Sequence, residues 1–405
     1  MTKRMINKQI IKAYSLKNAF EHNGKASLSP IINSLFTEGL KKENVKHIIP
    51  ELNKILNEIN NLTLEKQKQE FEKLEYLIRH RKTREGLPDL PNAKLGRVIT
   101  RIAPSPSGAL HIGHVLAILP NFLYAKKYKG IFYLRIEDTN PENIYKPAYK
   151  MIEEEAKWLC KNKVKILIQS KRMKLYYKLA IILINKNKAY VCTCNQEKFK
   201  ELLLKKQPCP CRELGKNEHM KRWGKMLDNY KQGEAVLRFK SNLNDKNPAM
   251  RDFPLARINL TSHPLQKNKY RVWPLMNLAV TADDIEQKIT HIIRGKDHKD
   301  NAKRQEMIYN ALGKSSIYPW TAFIGRLHLK EIVLSSSKIR KDIEEGKYKG
   351  WSDPKLPTMA SLKKQGYKPE AFWKYAEERG ISEADKIISQ KDLYEILNNF
   401  NKKVK

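Results

Sequence analysis

The chain has 405 residues and carries 79 Lys and Arg against 43 Asp and Glu, a formal charge of +36. That length holds roughly two to four domains with ample core. The charge makes an acidic polymer the economical partner, since basic side chains that neutralise phosphates release counterions; a Lys-rich composition throughout accounts for part of the excess. No N-terminal stretch has the apolar core of a signal peptide, and the longest aliphatic run, Leu179 to Ile184, is too short to span a bilayer. A cytoplasmic enzyme with no membrane partner is the expectation.

Residues 1–78 read as a helical domain. Ile10 to Phe20 has apolar residues at helical spacing, Glu51 to Ile59 repeats the pattern, and Leu62 to Glu70 opens a charged helix. No side chain there offers obvious chemistry. Residues 79–96, with Arg/Lys clusters, Gly86, Pro88 and Pro91, read as a linker.

From residue 97 strand and helix alternate: strand 98–102, helix 114–128, strand 131–136, helix 147–160, strand 164–168 and helix 173–187. The rhythm predicts an α/β fold, with the first half of a Rossmann-like parallel sheet over 97–188. Pro120 falls inside the first helix and should kink or divide it, since an interior proline costs about 3 kcal/mol. The loop between the first strand and helix, Pro104-Ser-Pro-Ser-Gly-Ala-Leu-His-Ile-Gly-His114, carries the main chemical signal. Its order of strand, Pro/Ser/Gly loop and helix start brings backbone N–H groups and the imidazoles of His111 and His114 to a place where a polyphosphate can sit. Pro104, Ser105, Pro106 and Gly108 shape that loop, and Gly108 and Gly113 let backbone and nucleotide approach closely.

Residues 189–265 break the rhythm and read as an insertion, with a Lys-rich helix and a strand candidate, Ala235 to Phe239. Within it Cys192-Thr-Cys194 and Cys209-Pro-Cys211 form a doubled C-x-C. Paired thiolates on two short knuckles match a structural tetrahedral zinc, which takes four soft ligands and contributes folding energy by closing a loop. Cys160, beside Trp158 and Leu159, reads as a small core residue, and a cytosolic chain is not expected to form disulfides. Strand and helix alternate again over 266–330, a second half of the same sheet. The stretch 331–405 opens with Leu334-Ser-Ser-Ser-Lys-Ile-Arg-Lys341, read as a loop whose Lys338, Arg340 and Lys341 clamp the same anion. Helical segments 340–347, 358–364, 369–379 and 391–402 follow.

The two signature segments, in this order and with these flanks, resemble the paired nucleotide-binding motifs of class I aminoacyl-tRNA synthetases. The flanks resemble the archaeal-type glutamyl-tRNA synthetases. Ala13 to Ala19 resembles that family's appended helical domain and Leu134-Arg-Ile-Glu-Asp-Thr-Asn-Pro141 its strand-end motif; Arg251-Asp-Phe-Pro254, Thr290 to His298 and Trp351-Ser-Asp-Pro354 match further fingerprints. The resemblance implies a class I Rossmann-like catalytic domain split by an acceptor-stem-binding insertion, preceded by a helical domain and followed by a helical tail that contacts the tRNA stem. It also implies the reaction: with ATP and magnesium, L-glutamate is joined through a glutamyl-adenylate to the 3′ end of its tRNA.

Carried over position by position, His111, Gly113, His114 and Lys338 would stabilise charge building on the α-phosphate, where removing one donor typically costs about 3 to 4 kcal/mol. A strict K-M-S-K-S is absent, and Arg340 or Lys341 could serve instead of Lys338. Asp297 would meet the ATP ribose. Arg101 would bind the amino acid's α-carboxylate, with Ser105 supporting the pocket, and Glu137 its α-ammonium. Arg294 carries the specificity argument, because a guanidinium forks onto a carboxylate and is left unpaired by a neutral amide. The bland alternative for Arg294 is a surface ion pair with Asp297. Met276 stands where bacterial-type relatives often place tyrosine, and Tyr270, Trp273 and Asn277 read either as core or as pocket wall.

Members of that family continue past a helix like Lys391 to Leu397 into β-barrel domains that read the anticodon, and here only Asn398 to Lys405 follow. Three explanations compete: a split enzyme whose anticodon-binding β-barrels sit on a separate polypeptide, a shortened paralogue glutamylating a different acceptor, and a non-catalytic tRNA-binding module. Intact signature loops weigh against the third, and the archaeal-type N-terminal domain against the second. The split reading predicts an exposed apolar stripe of Leu393, Leu397 and Phe400 on one helical face, unless that face packs on the tail's own helices.

Overall fold

The computed structural model describes residues 6–78 and 86–404. It divides into two compact units, Met1–Thr83 and Arg84–Lys405. Among the described residues no helix is long and apolar enough to cross a membrane.

The first unit is built from α1 (Lys8–Glu21), α2 (Leu28–Glu38), α3 (Val45–Asn60) and α4 (Leu64–Leu74). Ile10, Leu16, Ile31, Leu35, Leu52 and Ile55 share one core, so the spacing seen in sequence is that of inward helix faces. Asn7 caps α1 by accepting the Ile10 N–H, and Thr63 caps α4 by accepting the Lys66 N–H. The buried Gln67 amide donates to the carbonyls of Gly24 and Ile59, tying α4 to α3. Sequence periodicity missed α2, which carries Pro30 in its first turn, where a proline is tolerated, and ends at Gly39 with φ 110°.

In the second unit β1 (Ile99–Ile102), α5 (Ile112–Lys127), β2 (Ile131–Ile136), α6 (Ala148–Leu159), β3 (Lys165–Ile168) and α7 (Met173–Asn185) follow the expected alternation. β2 lies between β1 and β3 and pairs in parallel with both. Pro120 does not divide α5, which runs uninterrupted for 16 residues. The helix is held from outside its own ladder: the Asn121 amide donates to Ala117 O and Ile293 O and accepts the Ile293 N–H, and Phe122 packs on Trp373. Tertiary contacts thus outweigh the local cost of the proline. The stretch read as a linker is, from Gly86 onward, part of this unit, with Leu87 and Leu90 buried in its core; residues 79–85 lie outside the described set.

The chain then forms an antiparallel sheet of β4 (Ala189–Cys192), β5 (Val236–Phe239), β6 (Pro254–Ile258) and β7 (Val272–Pro274), with α8 (Gln196–Leu204) and α9 (Lys216–Asp228) between its first two strands. α10 (Met276–Glu286), β8 (His291–Gly295), α11 (Lys299–Ala311) and β9 (Trp320–Ile324) restore the parallel pattern, β8 pairing with β9. The Thr290 N–H donates to Ile99 O at 2.9 Å, which sets the start of β8 beside β1. β10 (Leu327–Leu329), α12 (Ser336–Glu344), α13 (Met359–Lys364), α14 (Pro369–Arg379), β11 (Lys386–Ile388) and α15 (Gln390–Lys402) complete the unit. β10 and β11 pair in parallel, a contact between three-residue strands that no local pattern announces.

Leu393 and Leu397 are fully buried, and Phe400 lies 6.4 Å from the Tyr375 ring. The expected exposed stripe is therefore spent on α14. Trp273 is core, stacked on His263, and Asn277 is tied to Gln305 and Asn301. Cys160 is fully buried, as a small core residue should be.

Candidate active site at the carboxyl edge of the sheet

A cleft of about 690 Å³ opens where β1, β2 and β8 end and α5 and α12 begin. Open parallel sheets bind ligands at this edge. Its walls include Arg101, Ser105, Glu137, Arg294 and Asp297, together with His111, Gly113 and His114.

The two imidazoles are locked by the start of α5. His111 is its N-cap; His111 Nδ1 accepts the Gly113 N–H at 3.1 Å, and His114 Nδ1 accepts the His111 N–H at 3.3 Å. The rings stack with centroids 3.8 Å apart. Burial depresses both, His114 to about 4 and His111, with His114 beside it, well below the usual imidazole range. Each ring is therefore neutral at pH 7. With Nδ1 accepting a backbone N–H, the ring proton is assigned to Nε2. The pair offers two N–H donors and no positive charge.

The loop around them is anchored from far along the chain. The Ile112 N–H donates to Pro357 O at 3.0 Å and the Met359 N–H to Leu110 O at 2.9 Å. Ser336 Oγ donates to Ala109 O at 2.8 Å, and the Tyr145 N–H to Pro106 O at 2.8 Å. At Gly108 any Cβ would collide with the Trp351 indole, so close approach demands glycine there. Pro104 lines the cleft beside Ser105, and Pro106 is buried behind it.

The second signature segment is not the cationic loop its composition suggested. Ser335 caps a helix, α12, by accepting the Lys338 N–H, so the basic residues lie on helical turns. Lys338 Nζ is 2.6 Å from Asp342, Arg340 stacks over Tyr145, and Lys341 pairs with Glu345. Ser335 and Ser336 line the cleft, whereas none of these three cations does. The i,i+4 spacing of Lys338 and Asp342 on a helix explains the closed arrangement.

On the opposite wall Arg294 is buried to 5 % exposure. Its Nη1 donates to the neutral Gln305 Oε1 at 2.9 Å, and its Nε has no hydrogen-bond partner. The alternative of a surface pair with Asp297 fails: Asp297 binds Arg326 at 2.9 Å instead. Burial, and the positive charge of Arg101, lower the Arg294 guanidinium to about 10. Arg101 itself is committed elsewhere, its Nε and Nη2 gripping Asp284 at 3.1 and 2.9 Å. Asp284 also binds the fully buried Arg135. Arg101 Nη1 takes no part in that grip. Glu137 has its carboxyl raised to about 7, chiefly by burial and against the pull of Arg135, Arg294 and Arg101. Met276 lines the cleft on this side.

Sequence reading missed Asp284 and Gln305, which aim the two arginines, because both read as ordinary polar helix positions. It also missed Arg326 and His328, which line the cleft from the β9–β10 region.

The cysteines lie elsewhere, at the end of β4, just after it, and in the segment between α8 and α9. All four are free thiols. Cys192 and Cys209 sulfurs are 3.8 Å apart, and those of Cys194 and Cys211 3.7 Å. Four sulfurs about 2.3 Å from a tetrahedral zinc stand about 3.8 Å from one another, so these pairs have the right edge length. Cys192, Cys194 and Cys211 sulfurs all lie within 4.8 Å of one another; Cys209 falls outside that group and turns its thiol toward Tyr190 Oη. Cys211 accepts from the Thr193 N–H and Arg222 Nη1 and is held far below the usual thiol range, chiefly by its cysteine neighbours, as a ligating thiolate requires.

Comparison with known proteins agrees with this geometry. Residues 97–403 match the model for the catalytic domain of class I tRNA synthetases (E and Q). The chain is 44% identical over 399 residues to the glutamate–tRNA ligase of Pyrococcus abyssi, covering 95% of this chain and 69% of that protein. It is 38% identical to that of Methanobrevibacter smithii, covering 97% and 70%. A crystal structure of a glutamate tRNA ligase from Elizabethkingia meningosepticum in complex with its amino acid superposes with TM-score 0.54 at 22% identity, over 76% of this chain and 69% of that one. The chain belongs to the class I tRNA synthetases of the glutamate and glutamine type, among relatives that are archaeal glutamate–tRNA ligases.

Proposed function

We propose that the chain activates L-glutamate with ATP and transfers it to the 3′ end of glutamate tRNA. The observation that carries this reading is Arg294: a buried guanidinium at the cleft wall whose partner is a neutral amide. A glutamate side-chain carboxylate would supply the missing anion, and a glutamine amide would not. Glu137 is suited to the α-ammonium, with Arg101 Nη1 left toward the α-carboxylate.

In activation the substrate α-carboxylate attacks the α-phosphorus and pyrophosphate leaves, so no protein nucleophile is needed. His111 and His114 would aim Nε2–H donors at the oxygens where charge builds, and neutral donors held by a capping box need no reorganisation to do so. ATP would enter with magnesium on its phosphates, and Asp297 is the candidate for its ribose. Lys338 can join the phosphates only by leaving Asp342, a rotation of one exposed side chain.

Zinc at Cys192, Cys194, Cys209 and Cys211 would be structural, closing the knuckles of the insertion that meets the tRNA acceptor stem; the sulfur separations support this, with Cys209 turning in. The excess of positive charge supports a phosphate-rich partner. The apolar face of α15 lends no support to a separate polypeptide carrying anticodon-binding β-barrels, since Leu393 and Leu397 are buried. The test is glutamate-dependent ATP–pyrophosphate exchange in the presence of tRNA. Equal exchange with glutamine would remove the assignment of Arg294.

A further inference from the structure

The activation chemistry leaves unused a buried acid that bonds to the signature loop. Glu155 is 8 % exposed on α6, while its neighbours Glu153 and Glu154 pair with lysines at the surface. The rest of its helix face is apolar, with Ile152, Ala156 and Leu159 fully buried. A carboxyl in such a place is costly unless it is hydrogen-bonded. Glu155 Oε2 accepts the Leu110 N–H at 2.7 Å, and the backbone of Ala360, at the start of α13, faces the same carboxyl.

Those two contacts are not independent. Leu110 precedes His111, and His111 forms an antiparallel bridge with Thr358. The bridge is closed by its own backbone bonds, Ile112 N–H to Pro357 O and Met359 N–H to Leu110 O. The Leu110 N–H turns to α6, where the Glu155 carboxyl takes it with the Ala360 backbone close by. Glu155 therefore pins together three segments that are far apart in the chain: the signature loop, the segment after Trp351, and α6.

We propose that Glu155 is a positioning residue for adenylation, fixing the backbone path into His111 and hence the aim of the His111 and His114 Nε2–H donors. This rests on the activation reading above. Loss of the acceptor would free Leu110 at the point where α5 is capped. Misaimed donors weaken transition-state stabilisation more than ground-state binding of ATP.

The experiment compares E155Q, E155D and E155A in glutamate-dependent pyrophosphate exchange with ATP varied, alongside melting temperature and imidazole ¹H–¹⁵N resonances. E155Q keeps a carbonyl acceptor at the same reach and should stay within about threefold of the parent, whereas E155D and E155A should lose roughly tenfold to a hundredfold in kcat with less change in KM for ATP. In E155D the His111 and His114 ring resonances should shift, and in E155Q they should return. Parent-like kcat and unmoved resonances in E155D, with only a lower melting temperature, would reduce Glu155 to a structural role and overturn the proposal. So would an E155Q as impaired as E155A, since the charge rather than the acceptor would then matter. If E155A does not fold, the E155D and E155Q pair decides. A parent chain that shows no glutamate-dependent exchange defeats the functional reading, while the resonance comparison still tests the aim of the rings.

Discussion

Replacing Arg294 with glutamine removes a buried guanidinium of the cleft wall that, among the described residues, has no hydrogen-bonded acidic partner. Arg101 and Arg135 share Asp284, and Arg172 binds Asp283 at 2.7 Å, so each is compensated. Arg294 has only Gln305 Oε1 at 2.9 Å, and its Nε is unpaired. A bound carboxylate would thus make charge-assisted bonds worth about 1.5 to 3 kcal/mol each. The cleft is open to water, which lowers their combined value to about 3 to 4 kcal/mol, or between two and three decades in kcat/KM. The loss should fall on glutamate and spare glutamine, whose amide never satisfied the arginine. The assay is pyrophosphate exchange with each amino acid, in the parent chain and in Arg294→Gln, with melting temperature as the folding control. Equal losses for both amino acids would mean that Arg294 supports the pocket wall without reading the side chain, and the specificity argument would fail.

Glu137, raised to about 7 by burial, must ionise to hold an ammonium, so KM for glutamate should rise as pH falls below about 7, approaching tenfold per unit; a flat profile in the parent chain, or the same slope in Glu137→Gln, would exclude that role. His114 is depressed to about 4, so the unfolded chain binds the extra proton between that value and the ordinary 6.5. Its contribution to stability is therefore complete above about 6.5 and lost as pH falls, about 2 kcal/mol between pH 7 and 5, and urea unfolding of the parent and His114→Asn should differ by a pH slope of that order. Metal analysis should find about one zinc per chain, and chelation or Cys194→Ser should lower the melting temperature while leaving the geometry of the remote cleft intact; a metal-free chain of unchanged stability would refute the knuckle. Binding to tRNA should weaken by roughly three decades between low and moderately high salt if six or more phosphates are contacted, and a salt-insensitive affinity would make the positive charge a matter of composition alone.

The parts of this molecule that could be read from sequence are those whose cause is local. β2 runs over the expected residues because Ile131 to Ile136 has no competing pattern, and the His111 to His114 segment forms a helix start because its imidazoles cap α5. What could not be read are contacts that exist only once other elements have formed, whether the partners are four positions apart or 183. Lys338 looked like a free cation because Asp342 acquires meaning only once Ser335 has started a helix. That Arg101 is partly committed could not be read, because nothing near it in sequence reveals Asp284. The apolar face of α15 looked like an interface because its cover, α14, is itself amphipathic and equally ambiguous alone. Pro120 failed as a helix breaker for the same reason, with Asn121 and Trp373 holding α5 from outside.

These cases share a direction. Where a signal marked a chemical group, the structure usually brought that group to the cleft, but it had often already engaged the group with a partner from another element. Arg294 is the exception on which the proposed function rests. It too is aimed by a residue invisible to local reading, Gln305, yet that residue is neutral, and the carboxylates of Asp284 and Glu137 act on the charge only through space. A buried cation is expensive to maintain without a counterion, and the chain keeps this one where the cleft opens. The economical account is that the counterion arrives with the substrate.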